Sequence, residues 1–203
     1  MLRIGLTGPI AAGKSVAAAQ LRRLGVRVID HDELARAVLA PGTPGQAEAV
    51  AAFGPHVVAA DGTTDRAALA RLVFADAAAR ARLERIVHPR VRARSDELDA
   101  ACRAAGEPLV VHDVPLLVET GQAGSFDAVL VVDAPDDVRL RRLTEVRGMA
   151  PDEARRRLAA QAPRADRLAA ATVVFDGGGP PAALEGQVAR WLAGLGETVG
   201  GAL

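Results

Sequence analysis

The sequence predicts a three-layer α/β fold built on a five-stranded parallel sheet, and three observations support this prediction. Short apolar runs alternate with segments of helical periodicity, which is the pattern of strands and helices in a parallel sheet. A glycine-rich loop separates the first apolar run from the first helical segment. The chain has 203 residues, a length that favours a single domain with inserted helical segments.

The predicted strands are the apolar runs at 2–6, 26–30, 109–112, 128–132 and 172–175. Helical spacing follows the first run at 15–24 and returns near the end of the chain at 184–195. We therefore assign the sheet core to residues 1–30, 106–137 and 172–203.

Two predicted helical segments interrupt this core, at 31–105 and 138–171. In the first, Asp65 is expected to cap a helix, and His88-Pro89 is expected to form a helix boundary because a residue before proline disfavours helical geometry. The second contains nine arginines, and we interpret it as a mobile lid. Most of these arginines are expected to face solvent.

The composition excludes several classes of protein. Acidic and basic residues balance at 25 each, whereas nucleic-acid binders are usually more basic. No apolar run reaches the roughly 18 residues of a membrane span, and no leader pattern precedes the first strand. The lone Cys102 allows no intramolecular disulfide. We expect a cytoplasmic protein, a monomer or weak homo-oligomer, that binds neither nucleic acid nor membrane.

The loop from Gly8 to Ser15 fits the phosphate-binding pattern G-x-x-x-x-G-K-S. In such a loop, backbone N–H groups wrap phosphates at the start of a helix. Lys14, the only lysine of the chain, is expected to contact the outer phosphates, and the Ser15 hydroxyl to help hold Mg²⁺. The alternative is a simple glycine turn. The residues predicted to bind the nucleotide are Gly8, Ala11, Ala12, Gly13, Lys14, Ser15 and Val16.

Three acidic residues are expected at the carboxyl ends of the predicted strands, where parallel sheets bind ligands. Asp32 is the candidate to orient and deprotonate an acceptor hydroxyl, although it could instead cap the next helix. Asp113 could act on the phosphates through Mg²⁺ and its waters, or could be a turn residue before Pro115. Asp30 is expected to be a turn residue.

Several separate segments resemble the dephospho-CoA kinase family. The matching stretches are Gly5-Leu6-Thr7-Gly8 with Gly13-Lys14-Ser15, Val28-Ile29-Asp30-His31-Asp32 with Ala35-Arg36, Leu83 to Pro89, Asp113-Val114-Pro115-Leu116-Leu117-Val118-Glu119, Arg147-Gly148-Met149 and Ala159-Ala160-Gln161. The resemblance implies a P-loop kinase fold in which 31–105 binds the acceptor and 138–171 is the lid. It also implies transfer of the ATP γ-phosphate to the 3′-hydroxyl of dephospho-CoA, the last step of coenzyme A biosynthesis.

The same resemblance implies residue roles. It assigns catalysis to Asp32, Lys14 and Arg147. It assigns the acceptor to Asp32, Arg36, His88, Arg90, Leu116 and Glu119.

Two departures from the family pattern concern the lid and the last strand. Val146 stands where many members have the lid arginine, so either Arg147 or Arg142 could fill that role, and we favour Arg147. After the last strand, Gly177-Gly178-Gly179 replaces a stretch that usually carries an asparagine. A side-chain amide that could position adenine is therefore missing.

Two other functions share some of these features. Another small-metabolite or nucleoside monophosphate kinase would have the same loop and a similar lid, but the stretch from Asp113 to Glu119 argues against it. A GTPase switch would need an Asn-Lys-x-Asp type motif for its base, and this chain has no asparagine and no second lysine.

Overall fold

The computed structural model describes residues 1–200. The last three residues of the predicted sheet core, 201–203, lie outside the described residues. The chain divides into two compact units, one formed by residues 1–29 with the residues from 105 onward and the other by residues 30–104.

The first unit is built on a five-stranded parallel sheet, as predicted. Its strands are β1 (Leu2–Thr7), β2 (Arg27–Asp30), β3 (Leu109–Asp113), β4 (Ala128–Asp133) and β5 (Val173–Asp176), arranged in the order β2-β3-β1-β4-β5. β1 pairs with β3 and with β4, and β4 pairs with β5, all in parallel. The central strand β1 therefore leads directly into the glycine-rich loop.

The described residues contain the α-helices α1 (Lys14–Arg23), α2 (His31–Val38), α3 (Pro44–Phe53), α4 (Arg66–Ala75), α5 (Ala77–Ala104), α6 (Asp136–Arg141), α7 (Pro151–Ala159), α8 (Arg164–Ala169) and α9 (Pro181–Gly200). A π-helical turn, Arg142–Val146, continues α6, and short 3₁₀ turns lie at Pro55–Val57 and Ala123–Ser125. None of the described helices is long and apolar enough to cross a membrane.

The main core of the first unit lies between the sheet and the helices α1 and α9. Ile4, Leu6 and Leu130 are at most 1% exposed, and burial of such a side chain contributes about 1.5–3 kcal/mol. Phe175 on β5 packs edge-on against Trp191 of α9 with ring centroids 6.0 Å apart. This packing fixes the first strand and the first helix, and with them both ends of the glycine-rich loop.

The second unit is helical. Its long helix α5 contacts α2, α3 and α4. The Asp65 carboxylate caps α4 by accepting the Ala68 N–H at 2.9 Å, which confirms the predicted cap.

The predicted helix boundary at His88-Pro89 is wrong, because Pro89 lies inside α5. Proline removes one backbone donor from a helix and crowds the preceding turn. The Arg90 guanidinium donates to the carbonyl of Ile86 at 2.7 Å in this turn and also pairs with the Glu48 carboxylate of α3. The packing of α5 against three helices outweighs the local cost of the proline.

Candidate active site

The glycine-rich loop takes a conformation that two of its glycines make possible. Gly13 has a φ of 113°, and a Cβ at Gly8 would lie 2.5 Å from the carbonyl oxygen of Val132. Ala11 has a φ of 63°, a left-handed geometry that costs an L-residue roughly 1–2 kcal/mol. The surrounding contacts must therefore hold this loop in place, and they come from three directions.

The first direction is the end of β3. Leu6 on β1 is in register with Asp113, so this carboxylate lies at the edge of the sheet where the loop begins. The Lys14 ammonium forms an ion pair with Asp113, whose side chain is 6% exposed. Asp113 therefore ends a strand, and its buried carboxylate orients the only lysine. Ser15, in the first turn of α1, is exposed.

The second direction is Arg142, at the junction of α6 and the π-helical turn. Its guanidinium donates to the carbonyls of Ala11 and Ala12 in the loop at 3.1 and 3.4 Å. It also donates to the carbonyls of Gly179 and Gly178 at 2.9 and 3.5 Å. One side chain thus joins the glycine-rich loop to the glycines that follow β5.

The third direction is Gln161, between α7 and α8. Its side-chain oxygen accepts the backbone N–H of Ile10 in the loop at 3.1 Å and the Arg139 guanidinium at 3.1 Å. Arg139 is 3% exposed and forms a 2.5 Å ion pair with Asp136. This hydrogen bond from Arg139 holds the pKa of Asp136 below its usual value.

Two buried and two exposed charged side chains surround the Gln161 segment: Arg167 and Asp133 are buried, whereas Arg164 and Glu119 are exposed. The Arg167 guanidinium donates to the carbonyl of Ala162, and Glu119 accepts the N–H of the same residue at 3.2 Å. Burial lowers the pKa of Arg167, and the positive charge of Arg139 lowers it further. Arg164 forms an ion pair with Asp133 at 2.7 Å, which raises the pKa of Arg164. The segment is thereby fastened to β4 and to the loop after β3.

Three further predicted site residues of the first unit, Leu116, Glu119 and Arg147, are exposed, whereas Val16 is half-buried against the core. Leu116 is 54% exposed, and Glu119 is exposed beside its contact with Ala162. Arg147 lies at the end of the π-helical turn next to Val146, which is 80% exposed. The structure therefore separates the two candidate lid arginines, with Arg142 on the loop backbone and Arg147 at the surface.

The second unit contains Asp32, Arg36, His88 and Arg90. The interpretation of Asp32 as a helix cap is wrong, because Asp30 caps α2 by accepting the N–H groups of Asp32 and Glu33 at 2.9 and 3.0 Å. Asp30 is therefore a cap and not only a turn residue. The Asp32 side chain is exposed on the first turn of α2, as are Arg36 further along the helix and His88 on α5.

Sequence reasoning missed the contact of Gln161 with the loop, the contact of Arg139 with Gln161, and the contact of Arg142 with the loop. The stretch Ala159-Ala160-Gln161 was the available signal for the first, since a polar residue stands there beside two alanines. For the contact of Arg142, the available signal was the run of glycines after β5, because glycines allow a close approach of two backbones.

A parallel sheet whose central strand leads through a phosphate-binding loop into a helix, followed by an arginine-rich helical segment, defines a P-loop kinase. The dephospho-CoA kinase family model matches residues 2–180. The chain belongs to the dephospho-CoA kinase family, which confirms the resemblance found in its motifs.

Individual relatives agree with this assignment. A dephospho-CoA kinase from Streptomyces avermitilis is 51% identical over 93% of this chain and 91% of its own length. One from Corynebacterium jeikeium is 46% identical over 96% of this chain and 100% of its own length. The crystal structure of a Thermus thermophilus protein with 38% identity superposes with a TM-score of 0.82, covering 96% of this chain and 97% of that one. The chain is therefore an ATP-dependent kinase with a P-loop fold.

Proposed function

We propose that the protein transfers the γ-phosphate of ATP to the 3′-hydroxyl of dephospho-CoA, the last step of coenzyme A biosynthesis. The single observation that carries this proposal is the family match over residues 2–180. That match spans the phosphate-binding loop, the stretch from Asp113 to Glu119 and the arginine-rich segment. A rival small-metabolite kinase would share only the first and the last of these features.

Positioning and charge stabilisation account for most of the catalysis in phosphoryl transfer. The loop N–H groups and Lys14 bind the ATP phosphates, and Asp113 keeps the Lys14 ammonium aligned by their ion pair. Arg147, exposed at the end of the π-helical turn, stabilises negative charge on the transferring phosphoryl group. The segment 138–171 acts as the lid that excludes water, which would otherwise accept the phosphoryl group.

The residues around the loop fit a Mg²⁺ ion. Ser15 offers an exposed hydroxyl in the first turn of α1, and Asp113 offers a carboxylate at the end of β3. Hydroxyl and carboxylate oxygens are hard ligands, and Mg²⁺ is usually held by one or two such groups together with substrate phosphates. Ser15 and Asp113 would hold the ion, Asp113 in part through water. An Mg²⁺ ion held there would supply positive charge that offsets the charge of the ATP phosphates.

Asp32 aligns the acceptor hydroxyl and receives its proton. Two observations support this role: the carboxylate is exposed, and Asp30 performs the capping that would otherwise occupy it. The residues that we assign to binding of dephospho-CoA are Arg36, His88, Arg90, Leu116 and Glu119. We further infer a cytoplasmic monomer or weak homo-oligomer.

A coupled assay with MgATP and a panel of acceptors tests the proposed reaction. We expect dephospho-CoA to be phosphorylated with a kcat/KM at least about 10²-fold above that for shikimate, gluconate or nucleoside monophosphates. Faster turnover of any of these acceptors would refute the assignment. ATP binding without turnover of any acceptor would point to a regulatory nucleotide-binding protein instead.

The role of Asp32 is tested by Asp32→Asn. Loss of a general base costs about 10²–10⁴-fold, so we expect kcat to fall by at least 10²-fold while ATP affinity stays within twofold. Glu33→Gln is the matched control, because Glu33 is an exposed carboxylate in the same helical turn. An Asp32→Asn protein with nearly normal kcat would remove Asp32 from the mechanism.

A further inference from the structure

The contact between the phosphate-binding loop and the glycines after β5 has no assigned role. Arg142 bridges the two backbones through four carbonyl groups, at Ala11, Ala12, Gly178 and Gly179. We name this contact the P-loop clamp. The P-loop clamp joins the phosphate-binding loop to the lid segment, which is distant from it in sequence. Arg142 lies 131 positions after Ala11.

The carbonyls that Arg142 contacts belong to the peptide groups that follow Ala11 and Ala12. The N–H ends of these peptide groups are those of Ala12 and Gly13. The Ala12 N–H donates to the carbonyl of Pro9 at 3.1 Å and so closes a turn within the loop, whereas the Gly13 N–H belongs to the part of the loop that opens α1, where such N–H groups bind phosphate. A planar guanidinium can hold several acceptors in a fixed geometry, and hydrogen bonds to one end of a peptide group polarise the other end. Arg142 thus fixes and polarises the loop from the side opposite the phosphates.

Gly177 makes the close approach possible. A Cβ at this position would lie 1.9 Å from the carbonyl oxygen of Ala12 and 3.0 Å from a Val132 methyl group. The Gly177 N–H donates to the carbonyl of Asp133 at 2.7 Å, and the Gly178 N–H donates to the Asp176 carboxylate at 2.7 Å. These bonds hold the backbone of the glycines after β5. A side chain at 177 would therefore force these glycines and the Ala12 carbonyl apart.

We propose that Arg142 is a positioning residue that prepares the phosphate-binding loop for ATP, and that Gly177 is the specific residue that lets this clamp close. The inference deepens the proposed function and rests on it. Arg142 acts through the loop backbone, whereas Arg147 acts on the transferring phosphoryl group. The glycine that replaces the family's usual asparagine therefore has a function of its own in this chain.

The test compares Arg142→Ala, Arg142→Lys and Gly177→Ala by equilibrium binding of a non-hydrolysable ATP analogue and by steady-state kinetics. We expect Arg142→Ala and Gly177→Ala each to raise the Kd of the analogue and the KM for ATP about tenfold. At saturating ATP, kcat should stay within threefold and the acceptor KM within twofold. Lysine lacks the planar fork, so Arg142→Lys should recover less than half of the loss expressed as log Kd.

The two contacts are predicted to act as one unit. Because either substitution opens the clamp, the double variant should bind the analogue no more than twofold worse than the weaker single variant. Arg141→Ala and Gly124→Ala are the controls, since Arg141 is exposed and a Cβ at Gly124 meets no atom within 4 Å. Both controls should bind the analogue like the wild type.

Three results would overturn the proposal. The first is an Arg142→Ala protein whose Kd for the analogue is within twofold of wild type. The second is an Arg142→Ala protein that loses 10³-fold in kcat with an unchanged Kd. The third is a double variant whose loss in log Kd equals the sum of the losses of the two single variants. The binding assay contains no acceptor, so it remains decisive if wild type binds ATP but does not phosphorylate dephospho-CoA. In that case the proposed reaction fails while the clamp is still tested.

Discussion

The arginine-rich segment 138–171 has an inner part that contacts the phosphate-binding loop and an outer part that faces solvent. In the inner part, Arg139 and Arg167 are 3% exposed, and Arg142 binds loop carbonyls. In the outer part, Arg155 and Arg157 form ion pairs with Asp152 and Glu153 three and four residues away, with arginine side chains 63% and 54% exposed. The arginines of this one segment therefore divide into buried or loop-binding residues and residues that face solvent.

The outer part is expected to show the largest effect on chemistry, through Arg147. An arginine that stabilises the transferring phosphoryl group is worth 10³-fold or more, so Arg147→Ala should lower kcat by about 10³-fold. Because Arg147 is exposed in the structure, its loss should change neither the melting temperature nor the Kd of an ATP analogue by a measurable amount. The measurements are single-turnover kinetics and thermal melting.

Arg156→Ala is the matched control for Arg147, since Arg156 is also exposed and lies on α7. It should behave like wild type. If Arg147→Ala had a normal kcat, the outer part would contain no arginine assigned to the chemistry. The division of the segment into an inner and an outer part would then not correspond to a difference in function.

The inner part is expected to act on ATP binding, and Gln161 is its sharpest test. Gln161→Ala removes the acceptor for the Ile10 N–H and for buried Arg139, so the KM for ATP should rise about tenfold. Glutamate keeps an acceptor oxygen and adds a charge opposite Arg139, so Gln161→Glu should stay within threefold of wild type. An equal rise of the KM for ATP in both variants would show that the side-chain oxygen of Gln161 does not support ATP binding.

Glu153→Ala serves as the control for substitutions in this segment, because its contact with Arg157 is an exposed pair within one helix. Such pairs contribute about 0.3–0.5 kcal/mol, so ATP binding should not change. A Glu153→Ala effect as large as that of Gln161→Ala would indicate a general loosening of the segment.

The sheet and the loop could be predicted from the sequence because both depend on local patterns. Strands buried in a parallel sheet are continuous apolar runs, and the loop has a fixed spacing of Gly, Lys and Ser. The boundary at Pro89 was wrong because packing of α5 against three helices outweighs the local preference of a proline. Asp30 and Asp32 are two positions apart, and only the backbone geometry decides which one caps α2.

The contacts of Arg142 could not be predicted because its partners are backbone carbonyls distant in sequence. Nine arginines lie in this segment, and the sequence offered Arg142 only as an alternative lid arginine, with no pattern that indicates its contact with the loop backbone. In the structure, Arg141 is exposed, whereas Arg142 is half-buried. The Arg142 guanidinium donates to the carbonyl of Ala11, 131 positions away in the sequence. The role of such a residue can be identified only from the structure, which brings the phosphate-binding loop and the glycines after β5 close together.

The smallest expected effect concerns pH and the ion pair that supports the inner part. The pKa of Asp136 is lowered in the folded protein, mainly by the hydrogen bond from Arg139, so its carboxylate stabilises the fold above the unfolded-state pKa of about 3.9. This contribution should be present at neutral pH and lost as the pH falls through the lowered pKa. Because the Asp136 side chain is 74% exposed, the effect should stay below about 1 kcal/mol.

Chemical denaturation of wild type and Asp136→Asn between pH 3 and pH 7 measures this contribution directly. Asparagine keeps a carbonyl acceptor for Arg139 but has no charge, so the difference in unfolding free energy should be largest at pH 7 and shrink below about pH 4. Asp152→Asn, which removes an exposed charge beside Arg155 in the outer part, should show a smaller difference. A larger pH-dependent loss for Asp152→Asn than for Asp136→Asn would contradict the assignment of the stabilising ion pair to the inner part, because burial of Arg139 is what gives that pair its strength.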